Sequence, residues 1–394
     1  MIHVEQALER LLSASRCLAG VENIPLEAAL GRTLADAVVS PLNVPPADNS
    51  AMDGYALRWS DWQSGAPGLP VSKRITAGSS PGTLEPGTAA RIFTGAEIPA
   101  GADTVVMQEH CEETGDRVHV DKLPPRGANI RPRGQDVRTG QAVLQEGQRL
   151  RPQDLGLLAS LGLAQIPVRR RLRVAMMSTG DELIEPGEPV AAGKIYNSNR
   201  YMLRGQLEAW GFEVVDMGVA RDDFTAVESL MREAAEAADV IVTTGGVSVG
   251  EEDHVRAVVE RLGRLDLWRI AVKPGKPFAF GRVGETPFLG LPGNPVSVFV
   301  TLLVVARPFL FSCQGIGDTS LRAVTGTALF DRKAGWREEY IRVRSTTEGL
   351  LVYDNQSSGA LFSTCWADGF VRQPADTAIE SGSEVEYLPF SLYD

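Results

Sequence analysis

The stretch that most constrains this chain is 239–254, Asp-Val-Ile-Val-Thr-Thr-Gly-Gly-Val-Ser-Val-Gly-Glu-Glu-Asp-His. Val240, Ile241, Val242, Thr243 and Thr244 form a β-branched run with the length and composition of a strand buried on both faces. Asp239 closes one helical pattern, and Asp253 opens another through Val255, Val258, Val259 and Leu262. Between strand and helix, Gly245, Gly246 and Gly250 free the backbone for positive φ and for close approach to a ligand, and Thr244 and Ser248 add hydroxyls. Backbone amides and a helix N-terminus then face the crevice beyond the strand's carboxyl end, where open α/β sheets bind anions. The same residues also suit a tight turn whose glycines serve packing only. Neither G-x-G-x-x-G nor G-x-x-x-x-G-K-[ST] occurs, so a Rossmann or P-loop reading has no support.

Around this stretch the pattern is regular. Strands are expected at 172–177, 213–217, 240–244 and 265–272, with a strand pair at 277–283 and 287–291. Helices are expected at 201–210, at 224–238 behind the cap Asp223, at 253–262 and at 296–311. Such alternation means a doubly wound, mostly parallel α/β sheet domain, placed at 169–314. Short β-like runs at 71–76, 89–94, 104–108 and 118–120 make 45–136 a small inserted β domain. The flanking segments 1–44 and 137–168 share a helical texture, including a Pro25-led helix and another opening at Pro152, and read as one discontinuous helical domain. Runs at 323–329, 339–343, 350–353 and 384–388 make 315–394 a C-terminal β barrel or sandwich.

Charge narrows the function. Lys plus Arg total 39 against 50 for Asp plus Glu, a net charge of -11, which argues against nucleic-acid or anionic-membrane binding and requires local basic groups for any anionic ligand. Cys17, Cys111, Cys313 and Cys365 are scattered without C-x-x-C, so neither a disulfide framework nor a zinc site is suggested. The N-terminal segment, with Glu5, Glu9 and Arg10 among leucines, is an amphipathic helix rather than an export signal, and a cytoplasmic location is expected. The apolar run 296–306 ends at Arg307 and Pro308, and reads as a buried helix too short to span a bilayer.

Polar residues gather after the strands: Ser178, Thr179, Gly180, Asp181 and Glu182 after the first, Arg221, Asp222 and Asp223 after the second, Asp253 after the central one. Converging carboxylates without His or Cys suit a hard cation such as Mg²⁺; the competing role for Asp222, Asp223 and Asp253 is helix capping. Lys273-Pro-Gly-Lys276-Pro would present two ammonium groups to a phosphate or oxyanion from a stiff segment. Leu291-Pro292-Gly-Asn-Pro295 pins a turn before a helix, either a second anion site or a rigid connector. The arginine-rich exit 126–138, which contains Asp136, is either a solvated connector or a ligand contact.

Six ordered motifs together resemble the molybdopterin molybdenumtransferase family, bacterial MoeA and the C-terminal domain of gephyrin. They are Asp48-Asn-Ser-Ala-Met-Asp-Gly-Tyr-Ala56, Arg91-Ile-Phe-Thr-Gly95, Ser178-Thr-Gly-Asp-Glu-Leu183, Thr244-Gly-Gly-Val-Ser-Val-Gly-Glu-Glu-Asp253, Lys273-Pro-Gly-Lys-Pro-Phe-Ala-Phe280 and Leu291-Pro-Gly-Asn-Pro-Val-Ser297. The resemblance implies a homodimer of four-part subunits whose α/β part is similar to molybdopterin adenylyltransferase. It implies the reaction of adenylylated molybdopterin with molybdate to give molybdenum cofactor and AMP, with Mg²⁺, and dealings with other molybdenum-cofactor proteins. Carried over by motif, Asp53, Thr94, Asp136, Glu182, Asp222 and Asp253 fall on active-site positions, with Glu182 and Asp253 toward Mg²⁺. Lys273, Lys276, Pro292 and Pro295, with Gly245, Gly246 and Ser248, fall on substrate positions; Arg342 and Ser358 transfer through looser motifs. The resemblance also implies that Asp53 and Thr94 serve a cleft completed by the other subunit. Arg269 stands where relatives often have Lys, and His254 where many have Tyr. Rival readings are a molybdopterin adenylyltransferase, a gephyrin-like scaffold without catalysis and a CinA-like nucleotide hydrolase. Intact acids and lysines count against the scaffold, and the inserted β domain against both enzymes.

Overall fold

A computed structural model describes residues 1–62, 67–247 and 254–393. The chain divides into two compact units: Met1–Ala35, Glu146–Arg151 and Ile166–Asp394 in one, Asp36–Gln145 and Pro152–Gln165 in the other.

The first unit is organised on a six-stranded sheet of Arg173–Thr179 (β1), Glu213–Ala220 (β2), Val240–Thr244 (β3), Gly263–Trp268 (β4), Ala279–Val283 (β5) and Thr286–Leu291 (β6). Their order is β2-β1-β3-β6-β5-β4. β1 is parallel to β2 and β3, and β3 to β6, while β4 and β5 close the far edge antiparallel. All five residues of β3 are buried. Side chains alternate across the sheet, so Val240 and Val242 join one core with Val174, Met176 and Leu289, while Ile241 joins another with Ala175, Met177 and Phe288. Helices Ser198–Ala209 (α1) and Pro295–Thr301 (α4) cover the first face through Leu203, Leu207, Val296 and Val298; Phe224–Ala237 (α2) and His254–Leu262 (α3) cover the second through Val227, Met231, Val255 and Val258. Each fully buried aliphatic side chain contributes about 1.5–3 kcal/mol, so covering both faces is what makes the uninterrupted apolar strand stable.

Expected and observed elements differ in three instructive places. The run 265–272 is not one strand: β4 stops at Trp268, Arg269 takes φ +87°, and Val272–Lys273 leaves to pair in parallel with Glu338 and Glu339 of the C-terminal sheet. The Pro25-led helix is only a single 3₁₀ turn, Leu26–Ala28, because Val21–Pro25 is extended and pairs with Gln165–Arg169. The apolar helix, expected at 296–311 and as too short to span a bilayer, runs from Pro295 to Gln314. A π-helical turn, Leu302–Ala306, lets the Arg307 amide bond back to the Leu302 carbonyl; this re-phases the ladder where proline lacks a donor, and helix continues to Gly315 at φ +89°. Pro295–Gln314 is therefore long and apolar enough to cross a membrane by length alone; 89% of its apolar window is buried, as in a core helix.

The C-terminal sheet runs Val272–Lys273, Glu338–Ser345, Gly369–Gln373, Glu384–Pro389, Val324–Thr327, with Leu350–Val352 also on Glu338–Ser345. A parallel bridge between Ala328 and Leu350 brings the end of Val324–Thr327 to Leu350–Val352 and so closes a small barrel around Ile341, Val343, Val371 and Tyr387.

The second unit carries a six-stranded sheet in the order Thr104–Met107, Gly54–Leu57, Ala89–Ile92, Leu69–Ile75, Arg117–Val120, Cys111–Thr114. Gly54–Leu57 lies between two partners and is buried throughout, although its sequence is too short to announce a strand. Helix Pro152–Ser160 starts at the expected proline.

Candidate active site

In the first unit the chain after each of β1, β2, β3 and β6 meets at one sheet edge. The Ser178 and Thr244 hydroxyls, at the ends of β1 and β3, lie 3.0 Å apart in the interior. Beyond them, the Asp181 amide donates to Asp222 Oδ2 at 3.1 Å, and the Asp222 amide donates to Asp181 Oδ1 at 3.2 Å. This reciprocal pair locks the two acidic loops together and leaves each carboxylate with unused lone pairs. Asp223 is a helix cap, accepting the Ala226 amide at 2.8 Å for α2.

Glycine is obligatory here. Gly245 and Gly246 take φ of +84° and +63°. A Cβ on Gly245 would stand 2.6 Å from the Thr179 carbonyl, and one on Gly246 would stand 2.4 Å from Val255 Cγ2. The Gly245 amide donates to the Leu291 carbonyl at 3.2 Å and approaches that of Pro292 at 3.4 Å, tying the central loop to the Pro-Gly-Asn-Pro turn. Glu182 is exposed and leans against Gly180, and its carbonyl accepts the Ile195 amide at 2.9 Å. Ser248 and Asp253 lie outside the described residues.

The turn itself is held from two sides. Asn199 Nδ2 donates to the Gly293 carbonyl at 2.7 Å, and Pro295 opens α4. At the start of this helix the Val296 N–H donates to the Ser358 carbonyl at 3.0 Å. Arg342 is fully buried and donates to the carbonyls of Asn355 and Ser357 at 3.2 and 3.1 Å and to Ser363 Oγ at 3.1 Å. Its guanidinium shapes the loop that presents Ser358. Gly275, between the two lysines, packs on α4: its Cβ would lie 2.5 Å from Thr301 Cγ2. Lys276 is exposed, whereas Lys273 Nζ meets Glu339 at 3.2 Å.

Sequence reasoning passed over Asn197 and Asn199, because an asparagine before a helix reads as a cap. Asn197 does cap α1 through the Arg200 amide at 3.2 Å. Its Nδ2, the Asn199 Oδ1 and the Thr179 Oγ1 are nevertheless buried without a partner. Glu339 was also missed, since nothing in a strand pattern marks an acid that faces a lysine from another segment.

The second unit brings Asp53 and Thr94 together. Asp53 Oδ1 accepts the Thr94 amide at 2.7 Å and the Thr94 hydroxyl at 2.8 Å. These bonds, amide first, with Arg91 adding a smaller pull, hold the Asp53 carboxyl below its ordinary value. Arg91 sits 4.9 Å from the Phe93 ring centroid and donates to Gln108 Oε1 at 2.6 Å. Burial and the hydrogen bond it donates to Glu113 push the Tyr55 phenol up to about 12. Asp136 is exposed, and its amide donates to the Val44 carbonyl at 3.0 Å.

An α/β crevice lined by acids and glycines, with a closed barrel in the same unit and a separate β unit, defines the class as a multidomain α/β protein. Comparison with known proteins agrees. Residues 2–162 match the MoeA N-terminal region (domain I and II), 175–312 a probable molybdopterin binding domain and 325–390 the MoeA C-terminal region (domain IV). The molybdopterin molybdenumtransferase of Haemophilus influenzae is 43% identical over 80% of this chain and 78% of its own length. Molybdopterin molybdenumtransferase 2 of Mycobacterium tuberculosis is 37% identical over 92% of this chain and 93% of its own. A molybdopterin biosynthesis MoeA protein from Pyrococcus horikoshii superposes with a TM-score of 0.86 at 30% identity, covering 98% of this chain and 99% of that one. The chain belongs to the molybdopterin molybdenumtransferase family, and it is a transferase of molybdenum cofactor biosynthesis.

Proposed function

We propose that this protein inserts molybdate into adenylylated molybdopterin, with release of AMP, as a homodimer working in the cytoplasm. The observation that carries this reading is the junction of the Asp181–Asp222 loops with Gly245, Gly246 and the Gly293 turn at one sheet edge. The close-approach glycine backbone and the unpartnered Thr179 hydroxyl beside it suit a pterin phosphate, and Lys273 and Lys276 suit an oxyanion. The phosphoanhydride is cleaved by water, with no protein nucleophile, so catalysis consists of positioning and charge stabilisation. Asp53, kept ionised by Thr94, and Asp136 are the acids that the family motifs carry in the second unit.

Mg²⁺ fits the donor chemistry in a limited sense. Among the described residues no group of three or more His, Cys, Asp or Glu could cage a metal. The donors at the crevice are carboxylates with unused lone pairs, which suits an ion bound by one or two carboxylates, water and substrate phosphates. Glu182 and Asp253 would hold it, and it would neutralise charge on the phosphates.

The test is incubation with adenylylated molybdopterin, Mg²⁺ and molybdate, with AMP and active cofactor as readouts. Molybdate-stimulated AMP release that disappears in Glu182→Gln is the expected result. Adenylate synthesis from ATP, or no turnover at all, would sink the proposal.

A further inference from the structure

The C-terminal barrel carries a cavity of about 530 Å³ between Lys273, the strand residue Glu339 and the 331–337 loop. That volume suits a small phosphorylated metabolite. Both of its acids are already engaged. Glu339, 8% exposed in its side chain, pairs with Lys273 at 3.2 Å and with the Arg332 guanidinium. Asp331 Oδ1 accepts the Ser381 amide at 2.9 Å.

The cations are not matched in number. Lys333 has no acidic partner among the described residues, and Arg337 gives one N–H to the Val272 carbonyl at 3.2 Å. With Lys273 and Arg332 the lining holds four cations against two carboxylates, in a chain whose net charge is -11. Beside them Trp336 is 57% exposed, with the Arg337 guanidinium 5.1 Å from its ring centroid. A large exposed indole next to unmatched cations is the chemistry that receives a flat ring carrying negative charge.

We propose that this cavity binds a phosphate monoester borne on an aromatic heterocycle. Lys333 and Arg337 take the phosphate, Trp336 takes the ring, and Glu339 acts as a positioning residue that fixes Lys273 and Arg332 at the floor. The site rests on the proposed reaction only through Lys273, and the AMP released in that reaction is a molecule of this class.

The experiment is calorimetric titration of the intact protein with AMP, adenosine and inorganic phosphate. AMP is expected to bind at least about tenfold more tightly than adenosine, and phosphate to compete with it. The double variant Lys333→Gln/Arg337→Gln should weaken AMP binding by about tenfold or more. Trp336→Leu should weaken AMP while leaving phosphate unchanged. Circular dichroism and thermal midpoints establish that the variants are folded. AMP affinity unchanged in both variants, or equal to that of adenosine, overturns the proposal. Molybdate-stimulated AMP release is scored separately: its absence with AMP binding intact sinks the proposed reaction and leaves this site standing, and the converse result removes the site alone.

Discussion

Gly246 shows at the scale of one residue why the central loop reads the way it does. Its positive φ and its 2.4 Å Cβ approach to Val255 Cγ2 are independent obstacles to any side chain. Gly246→Ala is expected to cost about 1–3 kcal/mol in urea unfolding from backbone strain alone, with a further loss of activity. Gly246→Ala/Val255→Ala should recover only part of the steric cost, since Thr179 Oγ1 would still lie 2.7 Å from the new Cβ, and none of the strain; full recovery would show the loop to be a mere packing turn. Asp53 and Thr94 stand forty-one positions apart in sequence, and only their motifs, not their spacing, pointed to a common role. Thr94→Val removes the hydroxyl donor and keeps the amide, so the Asp53 pKa should rise part of the way back to its ordinary value. The sign follows from the depressed folded-state pKa: stability from this contact is present above the unfolded pKa and fades as pH falls through the folded one. Because Asp53 is only half-buried, the measurable change is in ionisation: carboxyl-carbon NMR should move its titration to higher pH, and an unshifted curve would refute the assignment.

At the scale of elements, period and composition located most of the α/β sheet, because a strand buried on both faces carries its own signal in β-branched residues. What they did not locate depended on partners elsewhere in the chain. The departure of Val272–Lys273 to another sheet, the extended Val21–Pro25 and the buried Gly54–Leu57 are all set by pairing across long separations. The buried Arg342 is of the same kind. Its place on Glu338–Ser345 is visible from alternation, but its hydrogen bonds go to a loop and a short helix 13–21 positions on. Arg342→Leu takes the donor from two part-buried carbonyls and from the buried Ser363 hydroxyl, at about 1–3 kcal/mol in all before relaxation. We expect a lower urea midpoint and faster amide exchange at Val296, whose N–H bonds to the Ser358 carbonyl on that loop. Exchange at Val296 unchanged from wild type would show that the arginine does not hold the loop.

At the scale of the whole molecule, the acids of the proposed mechanism belong to two separate compact units. Asp53 and Thr94 lie in one and Glu182 in the other. If two copies share the work, with Asp53 of one serving Glu182 of the other, mixing two inactive variants has a calculable outcome. Co-expressed Asp53→Asn and Glu182→Gln subunits would pair at random, so half of the dimers are mixed. Each mixed dimer has one site with both acids intact and one with neither, giving about a quarter of wild-type activity from two inactive parents. A site completed within one subunit gives no recovery, since every site then lacks one acid. Sedimentation of the mixture would confirm that the species assayed is a dimer, and molybdate-stimulated AMP release at background level in that dimer would refute the shared arrangement.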